Sequence, residues 1–410
     1  MALGDKCHDN QMDRVYESLL RQHLTHERQI ALVTGPRQVG KTTSTRASAG
    51  GHRYFSWDRQ SDRLLVSRGA DAVAEALELT TLGHGPRTVV FDEIHRYRKW
   101  RAFLKGFFDV YGASVKLIVT GSARLGFFRH GGDSLMGRYF PYRMHPLSLG
   151  ELVRTEVRDE PVAPPTRPDG DAIDRLLRFG GFPEPLLRGD TRFYNRWRRL
   201  RTELLFKEDL RDLTQVQEVG QVQVLAELLA HQTGSLVNYT TLAGAVNVSV
   251  DTVRRWIAVL EGLFYCFTIR PWFRNVPKSL RRQPKVYLWD WSLVRDAGAR
   301  RENLVAGHLL KAVHFWTDIG LGDFELGFLR DKAKREVDFV VARDGQPWFL
   351  VEVKSSMRRG LNPALGYYQH KTGASNAFQL AFDLEHVDRD CFEVGSPLRV
   401  PATSLLTQLV

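Results

Sequence analysis

Over the first 150 residues, short continuous apolar runs alternate with stretches of helical periodicity. The runs fall at residues 30–34, 54–57, 88–91, 116–120 and 139–144. A strand that is apolar on both faces belongs in a parallel sheet covered by helices on each side. The pattern therefore predicts an α/β domain over residues 1–159. It breaks at residues 160–170, where Pro161, Pro164, Pro165 and Pro168 cluster; such a segment cannot continue a helix and reads as a linker. From about residue 171 to 260 the periodicity is helical. A long helix starting at Thr191 would place Phe193, Trp197, Leu200 and Leu204 on one face, with Arg192, Arg196, Arg198, Arg199 and Arg201 around the rest. From about residue 286 strands return, so a second α/β domain is expected over 286–410. No repeat of fixed period is present.

Composition narrows the field. A length of 410 residues suggests two to four domains. Hydrophobic residues at 43% and charged residues at 26% describe an ordinary globular chain and exclude global disorder. Lys and Arg together number 58 against 47 Asp and Glu, a net charge of +11. That excess points to an anionic partner, nucleic acid first, or to a compositional bias toward arginine. Cys7, Cys266 and Cys391 are far apart in the chain, which excludes a disulfide framework and a zinc cluster. The first ten residues carry Asp5, Lys6 and Asp9 and no apolar core, so no signal peptide is read there. The most apolar stretch, 258–269, contains Glu261 and falls short of the ~20 residues a membrane span needs. A soluble, cytoplasmic protein without a membrane partner is the expectation.

The clearest chemistry lies after the first apolar run. Gly35-Pro36-Arg37-Gln38-Val39-Gly40-Lys41-Thr42, followed by Thr43, fits the pattern G-x-x-x-x-G-K-[ST] between a strand and a helix. Glycines let backbone N–H groups curl round phosphates, Lys41 reaches the β and γ phosphates, and the Thr42 hydroxyl serves Mg²⁺. The run 88–91 ends in Asp92 and Glu93. Asp92 would support Mg²⁺, and Glu93 would polarise the attacking water. A further strand ends at Thr120, Gly121 and Ser122; Thr120 or Ser122 is either a sensor of the γ-phosphate or part of a plain strand-to-loop turn.

The runs GPRQVGKTT, FDEIHR, LIVTGSARL, GRYFPYRMHPLSLGEL and GGFPEPLL together resemble a family of prokaryotic AAA+-type ATPases near the signalling-type and archaeal ATPases, over roughly residues 12 to 215. The resemblance implies a five-stranded P-loop NTPase sheet with a helical lid over 160–215, and ATP as the nucleotide, although spacing alone does not exclude GTP. It also implies that Arg138 contacts the γ-phosphate, in cis or across a homo-oligomer, and that Pro183 in Gly181-Phe182-Pro183 abuts adenine. The family's usual sensor Asn is replaced by Thr120 and Ser122.

Residues 240–260 read as a helix-turn-helix. A short helix over 241–245 is followed by a turn at Asn247-Val248-Ser249, with Ser249 as N-cap, and by an apolar stripe of Val250, Val253, Ile257 and Leu260. Arg254 and Arg255 then face outward, as on a recognition helix. Beyond it, 270–285 holds Arg270, Arg274, Lys278, Arg281, Arg282 and Lys285 with Trp272 and Phe273 and no acid. This is a wing or a basic strand tracking phosphates, or a solvated face. A winged-helix-like module over 216–285 is expected, contacting DNA through Arg254, Arg255, Arg274, Lys278, Arg281 and Arg282 or packing against protein.

Residues 336–341 alternate like a half-buried strand, Asp344-Gly345-Gln346-Pro347 supplies a hairpin turn, and 348–354 returns. Alternation puts Leu350, Glu352 and Lys354 on one face, with Asp338 on the adjacent strand. Glu302 falls on the same helical face as Val305 and Leu309 and so points inward. This arrangement resembles the PD-(D/E)XK nuclease fold. By that resemblance Asp338 and Glu352 bind Mg²⁺ or Mn²⁺, Lys354 orients or deprotonates the attacking water, Glu302 completes the metal site and Gln369 fills an auxiliary helix position. The motif proline before the Asp is replaced by Val337. Two functions stand at this point: an ATP-hydrolysing DNA-binding protein with a metal-dependent nuclease, or an ATP-controlled switch whose nuclease-like domain binds DNA or protein without cleaving. RNA is not excluded as the nucleic acid.

Overall fold

The computed structural model describes residues 12–51, 53–81, 85–121, 135–213, 218–272, 283–356 and 360–410. They form two compact units, one of residues 12–145 and 155–157, the other of residues 146–154 and 158–410.

The first unit runs α1 (Val15–His26), β1 (Ile30–Thr34), α2 (Lys41–Ser48), β2 (Arg53–Ser56), α3 (Gln60–Ser67), α4 (Ala70–Ala76), β3 (Arg87–Asp92), α5 (Trp100–Tyr111), β4 (Val115–Gly121) and β5 (Tyr139–Arg143). The strands form a parallel five-stranded sheet in the order β2-β3-β4-β1-β5. Every expected apolar run is a strand of this sheet, and β1 is buried along its whole length. Aromatic packing fixes the core. Phe91 stacks on Phe55 at 5.3 Å and meets Phe103 and Phe107 edge-on. Strand β5 is an edge strand with Pro141 at its centre, opposite Leu32.

The second unit contains α6 (Leu149–Val153), α7 (Ala172–Phe179), α8 (Pro183–Arg188) and α9 (Thr191–Leu204). Helix α9 passes through a π turn at Leu205–Asp209 into α10 (Leu210–Leu213). Then come α11 (Val219–His231), α12 (Tyr239–Val246), α13 (Val250–Gly262), β6 (Cys266–Pro271), β7 (Lys285–Leu288), α14 (Ala297–Asp318), β8 (Phe324–Arg330), β9 (Glu336–Arg343), β10 (Gln346–Lys354), α15 (Pro363–Thr372), β11 (Asn376–Ala381), β12 (Leu398–Pro401) and α16 (Ala402–Leu406). Its mixed sheet has the order β12-β11-β10-β9-β8-β6-β7. Strand β6, which falls within residues read from sequence as the middle module, joins this sheet together with β7. The β9–β10 hairpin turns at Asp344 and Gly345, both at positive φ, as the Asp-Gly pair requires.

Helix α9 departs from the expected face. Its buried residues are Tyr194 and Trp197, while Leu200 is exposed. Arg201 turns inward instead, over the Phe182 ring at 3.8 Å and 3.5 Å from Asp290. A guanidinium stacked on an aromatic and paired with a buried carboxylate replaces the leucine face.

Helix α14 is tied to α6 by buried polar contacts. Lys311 Nζ, 1% exposed, donates to Glu151 Oε2, to Ser148 Oγ at 2.8 Å and to Pro146 O at 3.2 Å. One turn earlier, His308 Nε2 accepts the Leu149 N–H at 2.9 Å. Three acceptors satisfy the three ammonium donors, which makes the burial tolerable. Among the described residues no helix is long and apolar enough to cross a membrane. Replacing Lys311 by Ala should lower the unfolding free energy of this unit by about 3–5 kcal/mol, because Glu151 would stay buried without its partner. Denaturant titration checks this, and the double variant Lys311→Met with Glu151→Leu should recover most of the loss.

Candidate functional site

The loop between β1 and α2 owes its shape to its two glycines. Gly40 has φ 101°, and a Cβ on Gly35 would run into the Met144 carbonyl. Lys41 opens α2 with its side chain folded back onto the loop, donating to Gly35 O at 2.9 Å and Pro36 O at 2.8 Å. The buried Arg14 braces the loop from α1, donating to Val39 O at 2.7 Å and His145 O at 2.8 Å. Pro36 and Val39 are buried, Arg37 half-buried, and Gln38 and Thr43 exposed.

Asp92, at the end of β3, gathers hydroxyls. Thr42 Oγ1 lies 3.3 Å from Asp92 Oδ2, Thr120 Oγ1 donates to Oδ1, and Tyr54 OH donates to Oδ2. Tyr54 escaped the sequence reading. It sits on the neighbouring strand β2, with the Arg46 guanidinium 4.3 Å from its ring centre. Burial and then the Asp92 carboxylate push its phenol well above the tyrosine range. Glu93 follows in the left-handed conformation with φ 55°, with His95 Nε2 at 3.7 Å from its Oε2. Burial raises its carboxyl above the ordinary range against the pull of Lys41, and Asp92 adds to the rise. A carboxylate made more basic in this way suits acceptance of a proton from water. The first-turn amides of α2, Lys41, Thr42 and Asp92 form a donor and acceptor set that fits a nucleoside triphosphate with Mg²⁺.

Arg138 stands at the opposite end of β1 from this loop. Its carbonyl accepts the Ile30 N–H at the start of β1, whereas the loop leaves the far end of that strand. Its guanidinium instead grips Asp109 through two hydrogen bonds of 2.6 and 3.0 Å. Ser122 lies outside the described residues. Pro183 belongs to the second unit, where it is the first residue of α8.

In the second unit the alternation argument holds. Asp338 and Glu352 meet across the β9–β10 pair: Val353 N donates to Asp338 Oδ2 at 3.0 Å, and Asp338 N to Glu352 Oε2 at 3.4 Å. Lys354 Nζ donates to Glu352 Oε1 at 2.5 Å. Glu302 points inward from α14 and accepts from Tyr287 OH at 2.7 Å. Gln369 is elsewhere, donating to Ser396 Oγ at 2.7 Å and Ser375 O at 3.3 Å. The residue beside α15 that reaches the carboxylates is its N-cap, Asn362, whose Nδ2 donates to Glu352 Oε1 at 2.9 Å.

Lys285 overturns part of the basic-strand reading. It is not a surface cation but 3% exposed, with Nζ at 2.7 Å from Glu336 Oε1, 3.4 Å from Asp338 Oδ1 and 3.6 Å from Glu302 Oε1. Burial alone would lower its pKa; the carboxylates of Asp338, Glu302 and Glu336 more than reverse this and keep it charged. Gly234 closes another side, since a Cβ there would lie 2.9 Å from Glu302 Oε1. Burial, with Asp338 behind it, pushes Glu302 up to about 7, and burial raises Glu352 as well. Among the described residues no group of three or more His, Cys, Asp or Glu is disposed to hold a metal ion. The residues present do not fit Mg²⁺ at this cluster, because an ammonium already lies among the carboxylates.

Helices α12 and α13 form the expected helix-turn-helix pair. Asn247 turns in the left-handed conformation, and Ser249 caps α13 by accepting the Thr252 N–H. Val253, Ile257 and Leu260 are buried, while Arg254 and Arg255 are exposed. Arg254 rests over the Tyr239 ring at 4.8 Å. Arg274, Lys278, Arg281 and Arg282 lie outside the described residues.

Comparison with known proteins agrees with this geometry for the first unit. Residues 27–153 match the family model described as an AAA domain. Residues 170–303 match a domain of unknown function (DUF8612), and residues 297–382 another domain of unknown function (DUF4143). The chain is similar to an uncharacterized protein of Mycobacterium tuberculosis, with 25% identity over 79% of this chain and 70% of that one. It is also similar to an uncharacterized protein of Methanocaldococcus jannaschii, with 21% identity over 76% and 72%. Among solved structures, the Walker-type ATPase of Pyrococcus abyssi aligns with 72% of this chain and 97% of its own, at 15% identity and a TM-score of 0.43. The match to the AAA-domain model agrees with the parallel five-stranded sheet and the glycine-shaped loop of the first unit.

Glu302 yields a pH prediction. Its folded pKa of about 7 exceeds the ordinary 4.5, so its contribution to stability is full below pH 4.5 and is lost as the pH rises through 7. Glu302→Gln should flatten the decline of melting temperature between pH 5 and pH 8. An unchanged slope would count against the shift.

Proposed function

We propose that this chain is an ATP-hydrolysing P-loop protein that binds DNA, and that its nuclease-like domain serves binding rather than cleavage. The observation that carries the ATPase reading is the meeting of Thr42 and Asp92 beside Lys41, at the mouth of a loop shaped by glycine. On nucleotide binding, Lys41 exchanges the Gly35 and Pro36 carbonyls for phosphate oxygens, and the α2 amides orient the same phosphates. Thr42 and Asp92 would hold Mg²⁺, which would supply neutralisation of phosphate charge. Glu93 takes a proton from the attacking water, its raised pKa making it the stronger base. Thr120 and Tyr54 hold the Asp92 carboxylate in place. Arg138 can meet a nucleotide only across a boundary between subunits of a homo-oligomer.

DNA binding rests on the exposed Arg254 and Arg255 of α13 and on the net positive charge. A second reading, metal-dependent cleavage, draws on Asp338 and Glu352 lying on paired strands with Lys354 beside them. The buried ammonium of Lys285 favours the first. A cleavage assay on labelled single-stranded, duplex and branched DNA, with Mg²⁺ or Mn²⁺ and with or without ATP, separates the two. Cleavage lost in Glu352→Ala and Lys354→Ala would establish the nuclease.

Two variant sets test the remainder. Lys41→Ala should lose ATP binding in calorimetry, whereas Glu93→Gln should bind ATP and turn it over about 10²–10⁴-fold more slowly. Tight binding by the first or normal turnover by the second would sink the assignment. Arg254→Ala with Arg255→Ala should weaken DNA binding across all sequences and lower its salt slope by about two. A slope that does not move would reduce the helix pair to packing.

A further inference from the structure

We infer that Lys285 is the resident cation of the carboxylate cluster: its ammonium takes the place that a divalent metal would need, and the chain as it stands binds no Mg²⁺ or Mn²⁺ there. This inference rests on the non-cleaving reading above and gives it a physical cause.

The geometry is that of a coordination shell built for nitrogen. Lys285 has three N–H donors, and three carboxylates from two elements surround it. Glu336 and Asp338 come from β9 and Glu302 from α14, with N–O distances of 2.7, 3.4 and 3.6 Å. The Phe328 ring lies on a further side, 5.5 Å from Nζ. Oxygens around Mg²⁺ would stand at about 2.0–2.1 Å, and a hydrated ion would need still more room. Strand pairing anchors the lysine, since Lys285 pairs with Ile269 of β6 and bridges to Leu236.

Further donors also reach the carboxylates of the cluster. Val353 N occupies Asp338 Oδ2, Arg330 holds Glu336 Oε2, and Tyr287 OH holds Glu302 Oε1. Lys354 and Asn362 share Glu352 Oε1, while Asp338 N approaches Oε2. A metal ion entering here must displace a buried ammonium and repel it from within the same cavity. Without that ammonium, three half-buried carboxylates would face one another, an arrangement that favours either protons or a new cation. Removing the amine should therefore turn a closed ion cluster into a divalent-cation site.

The test uses the full, nucleotide-free chain, stripped with a chelator and titrated with Mn²⁺. Free Mn²⁺ is followed by electron paramagnetic resonance, and the unfolding temperature is recorded in parallel. In the unsubstituted protein, Asp338→Asn should leave Mn²⁺ binding unchanged. Lys285→Ala should gain Mn²⁺ binding and an Mn²⁺-induced rise in unfolding temperature. Both gains should vanish on adding Asp338→Asn, and Lys285→Arg, which keeps a cation, should show neither. Mn²⁺ binding by the unsubstituted chain that Asp338→Asn removes would overturn the inference, as would a folded Lys285→Ala that takes up no Mn²⁺. If Lys285→Ala does not fold, the comparison of the unsubstituted chain with Asp338→Asn still decides. DNA gel shifts in the presence of chelator test the binding reading separately. Metal uptake without cleavage would remove this inference and leave that reading intact.

Discussion

A positive charge taken out of water must meet oxygen, and the kind of oxygen decides what the charge can still do. This chain buries Lys41, Lys285 and Lys311, and they answer the demand differently. Lys41 donates to two neutral backbone carbonyls. An incoming phosphate replaces those bonds with stronger, charge-assisted ones. Lys285 and Lys311 sit on carboxylates, where full charge already meets full charge. The first arrangement is open to an anion. The other two are closed, one joining α6 to α14 and the other joining β7, β9 and α14.

The same distinction separates the two aspartates on which the functional argument turns. Asp92 is held by the hydroxyls of Thr42, Thr120 and Tyr54, neutral donors that orient a carboxylate without cancelling its charge. Asp338 shares a lysine ammonium with Glu336 and Glu302. Two aspartates of similar sequence appearance therefore stand in different electrostatic settings, for reasons found in their neighbours.

The first sheet was legible in the sequence because its strands are buried on both faces, and burial of that kind writes continuous apolar runs. The β9–β10 pair was legible for the complementary reason: strict alternation and an Asp-Gly turn leave one register that buries the apolar face and brings Asp338 beside Glu352. What escaped notice were polar residues whose partners are distant in the chain. Lys285 reads as the last member of a basic run, yet its acceptors lie at positions 302, 336 and 338. Arg201 reads as decoration on a charged helix, yet it stacks on Phe182 and pairs with Asp290. Tyr54 reads only as the first residue of an apolar run, and nothing local marks Asn362 as a partner of Glu352. Arg138 was read as acting in cis or in trans, because a short motif shows that an arginine is present but not at which end of a strand it stands.

The edge strand β5 carries one more implication. Met144 N donates to Thr34 O, and Ile30 N donates to Arg138 O, so the even-numbered residues of β5 turn their amides toward β1. Pro141 therefore has its missing N–H on the outer side, in the middle of the row of donors that an approaching strand would use. The sheet cannot be lengthened from this side by an uninterrupted ladder, whether the newcomer is another copy of the chain or an extended peptide. At this edge a single imino acid interrupts the row of donors that edge-to-edge pairing would use.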